Sequence, residues 1–228
     1  MNLYSDSSYP GAATLQGFMQ RVYQWMAMGL AVTGAVALWA SSNVGLLKAL
    51  AGGGFLILML AELGLVIWLS SSIMKISPRA AVTGFLVYSA LNGLTMSFIF
   101  VVYTGASIAT TFFITAGTFA GVSLYGWSTK SDLTSAGGLL MMGLIGMIIG
   151  SLVNLFLKSP VFYWILTYLG LAIFIGLTAY DTQRLKEIHQ SSNGEASEQL
   201  AVVGALRLYL DFINLFLLLL RLFGRRRD

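Results

Sequence analysis

Residues 137–157 read GGLLMMGLIGMIIGSLVNLFL, and residues 161–181 read VFYWILTYLGLAIFIGLTAYD. Neither run holds a charge before Asp181, and only Lys158-Ser159-Pro160 separates them. A helix that crosses the hydrocarbon of a bilayer needs roughly 20 mostly apolar residues, and each run has that length. Barrel strands alternate apolar and polar residues in short segments. These runs are unbroken, so the spanning element is a helix.

Working outward, runs of the same kind lie at about 22–40, 50–73, 80–102, 106–127 and 200–222, which makes seven spans. They occupy most of the 228 residues, 57% of which are apolar and only 10% charged. Soluble domains average about 25% charged residues, so a water-soluble core is excluded and an all-α membrane bundle is expected. The first span follows a polar stretch without a clear cleavage site, and reads as a retained helix rather than a signal peptide. The expected organisation is a polar, Ser-rich tail at 1–20, a seven-helix domain at 21–224 and a basic tail at 225–228. The tail carries Arg225-Arg226-Arg227, a cluster suited to anionic headgroups. Short connections are expected at 75–79 (KISPR), 103–106 and 158–160, with longer polar loops at 126–138 and 189–198. The Lys and Arg residues divide evenly between the two sides, so the positive-inside rule sets no orientation. Gly117 with Gly121, and Gly146 with Gly150, have the four-residue spacing that lets helix backbones approach.

Several chemistries are excluded or disfavoured. The chain has no cysteine, which removes disulfides and thiol catalysis. It has no basic domain or readout motif for nucleic acid. Gly52-Gly53-Gly54 lacks the Lys-Ser/Thr ending of a phosphate loop. His189, the sole histidine, sits in a polar stretch without partners at ligand spacing, and is expected to be solvated. Tyr180-Asp181 fits one half of an intramembrane aspartyl protease pattern, but Asp211, in YLDFIN, lacks the glycine context of the other half. The chain is therefore not expected to be an enzyme, to hold a resident cofactor or to act on a small-molecule substrate.

Three acids fall within or at the end of spans, where a charge costs roughly 2.5–3.5 kcal/mol on insertion scales. Glu62 lies near the middle of the second run, in FLILMLAELGLVIWL. It is expected to be protonated and hydrogen-bonded in the bundle, or to act in an ion path or its gating. Asp211 lies in the last run, with Arg207 four residues before it and Asn214 three after. The three share one helix face, which is expected to point inward. Asp181 ends the sixth run, and the apolar positions Leu185 and Ile188 carry that helix on to about residue 188. Antiparallel neighbours place residues equidistant from their turn at one level. The midpoint of 181 and 211 is residue 196, within the polar loop, so Asp181 and Asp211 are expected at similar depth. Two unit charges 4 Å apart repel by about 4 kcal/mol at an effective dielectric near 20, so such a pair titrates as a unit. A shared proton would hold the two helices together. Its loss would part them or admit a hard cation such as Ca²⁺, which prefers carboxylate oxygens. A static polar clamp is the alternative. Arg207 would act on either arrangement by charge.

The chain resembles the transmembrane Bax inhibitor motif family. The resemblance rests on GLTAYDTQRLK at 176–186 and LYLDFINLF at 208–216, with LYGWSTK at 124–130 and YSALNGLT at 88–95. The missing cysteine, short tail and compact loops look most like the bacterial branch. The resemblance implies a seven-helix bundle with the last helix central, in a bacterial inner membrane. It implies a pH-sensitive calcium leak, with Asp181 and Asp211 as the pH sensor and transient Ca²⁺ site, and Glu62 as the buried acid of the second helix. It also implies a basic residue near the end of that helix, for which Lys75 in SSSIMK is the nearest candidate. Some bacterial relatives are instead substrates or modulators of the membrane protease FtsH. That makes FtsH an expected partner beside the bilayer, with residues 1–20 as the segment it would grip.

Overall fold

The computed structural model describes residues 14–72, 75–191 and 198–227. Seven helices within them are long and apolar enough to cross a membrane. They are α1 (Leu15–Ser41), α2 (Val44–Ser72), α3 (Pro78–Val102), α4 (Gly105–Ser128), α5 (Thr134–Leu157), α6 (Pro160–Ser191) and α7 (Glu198–Phe223).

The helix starts are written in small polar residues. Thr14 accepts from the Gly17 N–H, Ser77 from Ala80 and Thr104 from Ser107, each satisfying a donor that a first helical turn leaves open. Ser-Pro recurs at 77–78 and 159–160, with the cap followed by proline at the first helical position, where its missing N–H costs nothing. Between α5 and α6 the backbone turns at Lys158 (φ 49°), and the Asn154 side chain accepts from the Ser159 N–H. The triple glycine has a structural use. α2 widens into a π-turn over Leu50–Gly54, where Gly53 takes φ 114°, a left-handed value that glycine adopts without a steric cost.

α7 is the axis of the bundle. It packs against α6, α1, α4 and α3, while α2 leans on α3 and α5 on α6. Burial follows that order: 72% of the most apolar stretch of α7 is buried, against none for α5. α2 and α5 turn large apolar side chains outward, among them Ile57 and Phe156. Such a surface is untenable in water and ordinary in lipid.

Several connections differ from the sequence expectation. The loop expected at 126–138 shrinks to 129–133, because α4 runs to Ser128 and α5 starts at Thr134. Gln183 ties this loop to α6, accepting from the Leu133 N–H at 2.8 Å and donating to the Ser131 carbonyl at 2.9 Å. In the same loop the Thr134 hydroxyl and N–H hold the exposed Asp132 carboxyl below its usual range. α6 runs to Ser191, and at 32 residues it is about 48 Å long. A hydrocarbon core is about 30 Å thick, so α6 outruns it. His189, expected in solvent, is therefore on a helix. It is 5% exposed and stacks on Phe18 at 5.2 Å. Residues 192–197 of the expected loop, and residues 1–13 of the expected tail, lie outside the described residues.

The glycine spacing also misleads. A Cβ at Gly117, Gly121 or Gly146 would meet nothing within 4 Å, and only Gly150 of the two pairs faces a neighbour closely, Leu166. The tight approach is elsewhere. A Cβ on Gly126 of α4 would fall on the Ala179 carbonyl of α6.

The basic tail is docked rather than free. The Arg225 carbonyl accepts from Thr104 N–H at 3.0 Å, and Arg227 N–H donates to the Val102 carbonyl at 2.9 Å. This sets the segment after α7 against the α3–α4 turn through a single antiparallel bridge, Tyr103 to Arg226. Removing residues 225–228 should speed amide exchange at Thr104, whose N–H loses its acceptor, and leave exchange in mid-α7 unchanged. Hydrogen exchange read by mass spectrometry checks this.

Candidate functional site

Two polar clusters lie on different faces of α7. The first joins α6 and α7. Asp181 and Asp211 stand at one level, as the hairpin arithmetic requires, and their carboxyls are close enough to interact. Asp211 is 4% exposed, and its Oδ2 is buried with no hydrogen-bond partner among the described residues. Arg207 places a guanidinium N 3.7 Å from Asp181 Oδ1. The expected inward stripe of Arg207, Asp211 and Asn214 is only partly realised. Asp211 is buried, Arg207 keeps 48% of its side chain exposed, and Asn214 is half-buried, donating to its own helix at the Leu210 carbonyl. The stripe straddles the edge of the α6 contact, so only its α6-facing member is covered. Lys75 does not join the cluster. It is exposed in the turn after α2, and among the described residues Arg207 is the cation that acts on both carboxyls.

The second cluster joins α2, α3, α7 and α1, and sequence reasoning found only Glu62. Glu62 Oε2 accepts from Asn92 Nδ2 at 3.4 Å, and Oε1 accepts from the Thr95 hydroxyl. The Tyr209 hydroxyl lies 3.1 Å from Asn92 Oδ1 and 2.6 Å from Thr33 Oγ1. An amide oxygen only accepts, so Tyr209 spends its single proton on Asn92. Thr33 Oγ1 also lies 2.9 Å from the Gly29 and Ser89 carbonyls, so its one proton has three acceptors around it. Hydrogen bonds thus link Thr33, Tyr209, Asn92 and Glu62 through four helices. Hydrogen bonds in series polarise one another, and buried networks are costly to leave half-made.

Tyr209 itself is fully buried, edge-on to Phe85 and Tyr88. A signal for this cluster was present in the sequence. Asn92 and Thr95 are three apart and share a face of α3, and Tyr209 is two residues from Asp211. Two residues on a helix lie on nearly opposite sides, which is why Glu62 and the aspartates do not meet. Tyr209→Phe removes one link and strands the Asn92 oxygen. It should cost about 1–2 kcal/mol, within the range for a broken buried hydrogen bond, with the drop read as a lower unfolding temperature in detergent. An unchanged unfolding temperature would mean that the chain carries no weight.

Residues 15–228 match the family described as inhibitor of apoptosis-promoting Bax1. The chain belongs to this family. Within its reach, the chain is 50% identical over 228 residues to the inner membrane protein YbhL of Escherichia coli strain K12, covering 98% of this chain and 97% of that one. It is 43% identical to the uncharacterized protein RP147 of Rickettsia prowazekii, over 94% and 92% of the two chains. An uncharacterized membrane protein of Streptococcus pyogenes serotype M1 is 43% identical over 72% and 71%. As a member of the Bax1-inhibitor family with seven apolar spans, the chain is a multi-pass protein of the inner membrane.

Proposed function

We propose that this family member is a pH-sensitive leak channel for Ca²⁺, latched by Asp181 and Asp211. The observation that carries the reading is the pair of facing carboxyls on α6 and α7, close enough to share a proton, with Asp211 buried. With one proton shared, the carboxyls attract and α6 stays against α7. With that proton gone, two anions face each other in a medium that screens poorly, and the helices part or a cation enters between them.

Ca²⁺ fits as cargo rather than as a resident ion. It takes about six to eight oxygen ligands, and among the described residues no third Asp, Glu, His or Cys completes a cage. Arg207, at the open edge of α7, keeps Asp181 charged company while the pair changes state. Glu62 and its hydrogen-bond chain hold α2, α3 and α1 to the far side of the same helix. They fix the frame against which α6 would move.

The test is Ca²⁺ entry into vesicles loaded with an indicator dye, with and without the purified protein. Entry that requires the protein and rises as the medium is made alkaline is the expected result. Entry no faster than in protein-free vesicles at every pH would overturn the reading.

A further inference from the structure

A groove of about 840 Å³ runs between α1 and α4, floored by Phe212 of the central helix. Its walls sort by chemistry along its length. At one end stand Gln16, Gln20 and Tyr23 of α1 with Trp127 of α4; deeper in, the walls are Met26, Leu30, Phe112 and Ala116. α1 and α4 run in opposite directions, so this order is the same on both walls. From Gln16 to Leu30, or from Phe112 to Trp127, is about 21–23 Å at 1.5 Å per residue. That exceeds the depth of one leaflet, half of a core about 30 Å thick. Trp and Tyr settle at the level of the headgroups, which puts the polar end at the interface and the apolar end in the hydrocarbon.

Trp127 is held in place at the mouth. The Lys186 ammonium donates to its carbonyl at 2.5 Å and lies 5.3 Å from the centre of its ring. Lys186 also puts a cation beside the mouth, with Lys130, Asp132 and Glu187 around the adjoining polar hollow. On the α1 side, Arg21 is paired with Glu198 at 3.0 Å. The floor is rigid: Phe212 meets Phe112 and Phe119 edge-on, each at 5.5 Å. Small residues keep the walls apart, with Ala27 of α1 facing into the groove from one side and Ala116, Ala120 and Ser123 of α4 from the other.

We propose that this groove is a binding site for one bilayer phospholipid. The acyl chain lies between α1 and α4 and ends against Phe212, and the ester and phosphate sit at Gln16, Gln20, Tyr23 and Trp127. A slot that is polar at its interfacial end, apolar along its depth and longer than a leaflet matches an amphiphile with a single long tail in it. Since Phe212 follows Asp211 in the chain, the lipid touches the central helix one residue from the latch. The site itself rests only on the membrane fold and stands whether or not the protein conducts ions.

The test uses full-length protein in phosphatidylcholine vesicles doped with phosphatidylcholine whose acyl chain ends in a photoreactive group. Crosslinks should concentrate at the deep end, in residues 26–30 and 112–120 and at Phe212, over the lipid-facing sides of α2 and α5. Ala120→Trp fills the groove and should cut those crosslinks about tenfold, a loss that corresponds to ~1.4 kcal/mol. Ile148→Trp, on the outer face of α5, should leave them unchanged. Labelling spread evenly over α2 and α5 would overturn the proposal without recourse to any variant. So would labelling that Ala120→Trp fails to reduce in protein that elutes as a single species with unchanged helicity. A photoreactive free fatty acid that labels the groove as strongly as the phospholipid would overturn the headgroup end of the site.

Discussion

Replacing Asp211 by asparagine is expected to leave a protein that folds and no longer changes its Ca²⁺ entry with pH. Asparagine keeps the shape of the side chain, and its amide can donate to Asp181 as the shared proton does, so the variant imitates the latched state at every pH. Flux should stay at the low level that the unaltered protein shows in acid. Asp181→Asn should behave in the same way, because the two carboxyls titrate as one unit. The double variant should be no flatter than either single one, the non-additivity expected of groups that act together. Dye-loaded vesicles across a range of pH check all three. A normal pH response in either single variant would remove the pair from the mechanism.

Gly126 should be the least tolerant position in the wall that supports Asp181. A Cβ there would fall on the Ala179 backbone, which has no side-chain freedom to move aside. α4 and α6 would have to separate, and Thr182, which faces Ser123 at 3.4 Å across the same contact, lies next to Asp181. Gly126→Ala should cost about 2–3 kcal/mol, the upper part of the range for overpacking. Gly126→Leu should give little folded protein. Gly117→Ala is the counter-case. It meets open space, so only helix propensity acts, and alanine gains up to about 1 kcal/mol over glycine. Unfolding temperatures in detergent should therefore move in opposite directions for Gly126→Ala and Gly117→Ala. Parallel shifts would contradict the packing described for α4.

The seven spans were legible because a bilayer imposes a length and a composition that few other environments demand. The common level of Asp181 and Asp211 was legible because a hairpin fixes depth by counting residues from its turn. What periodicity leaves open is which neighbour covers a given face. Arg207 and Asn214 share a stripe with Asp211, and only contact with α6 decides that Asp211 alone is buried. Gly117, Gly121 and Gly146 face open space while Gly150 meets Leu166, since spacing describes one helix and close approach requires two. His189 was misplaced because α6 continues past the hydrocarbon, and polar residues in those last turns look like loop. Tyr209 escaped notice because a tyrosine in an apolar run reads as packing until Asn92 and Thr33 are brought to its hydroxyl.

The central claim is that the α6–α7 carboxyl pair makes the flux depend on pH. Its most direct test is Ca²⁺ entry, from mildly acid to mildly alkaline medium, for the unaltered protein beside Asp181→Asn/Asp211→Asn in vesicles of one preparation. The account predicts a rise with pH for the first and a flat, low line for the second. Two curves that rise together would contradict it.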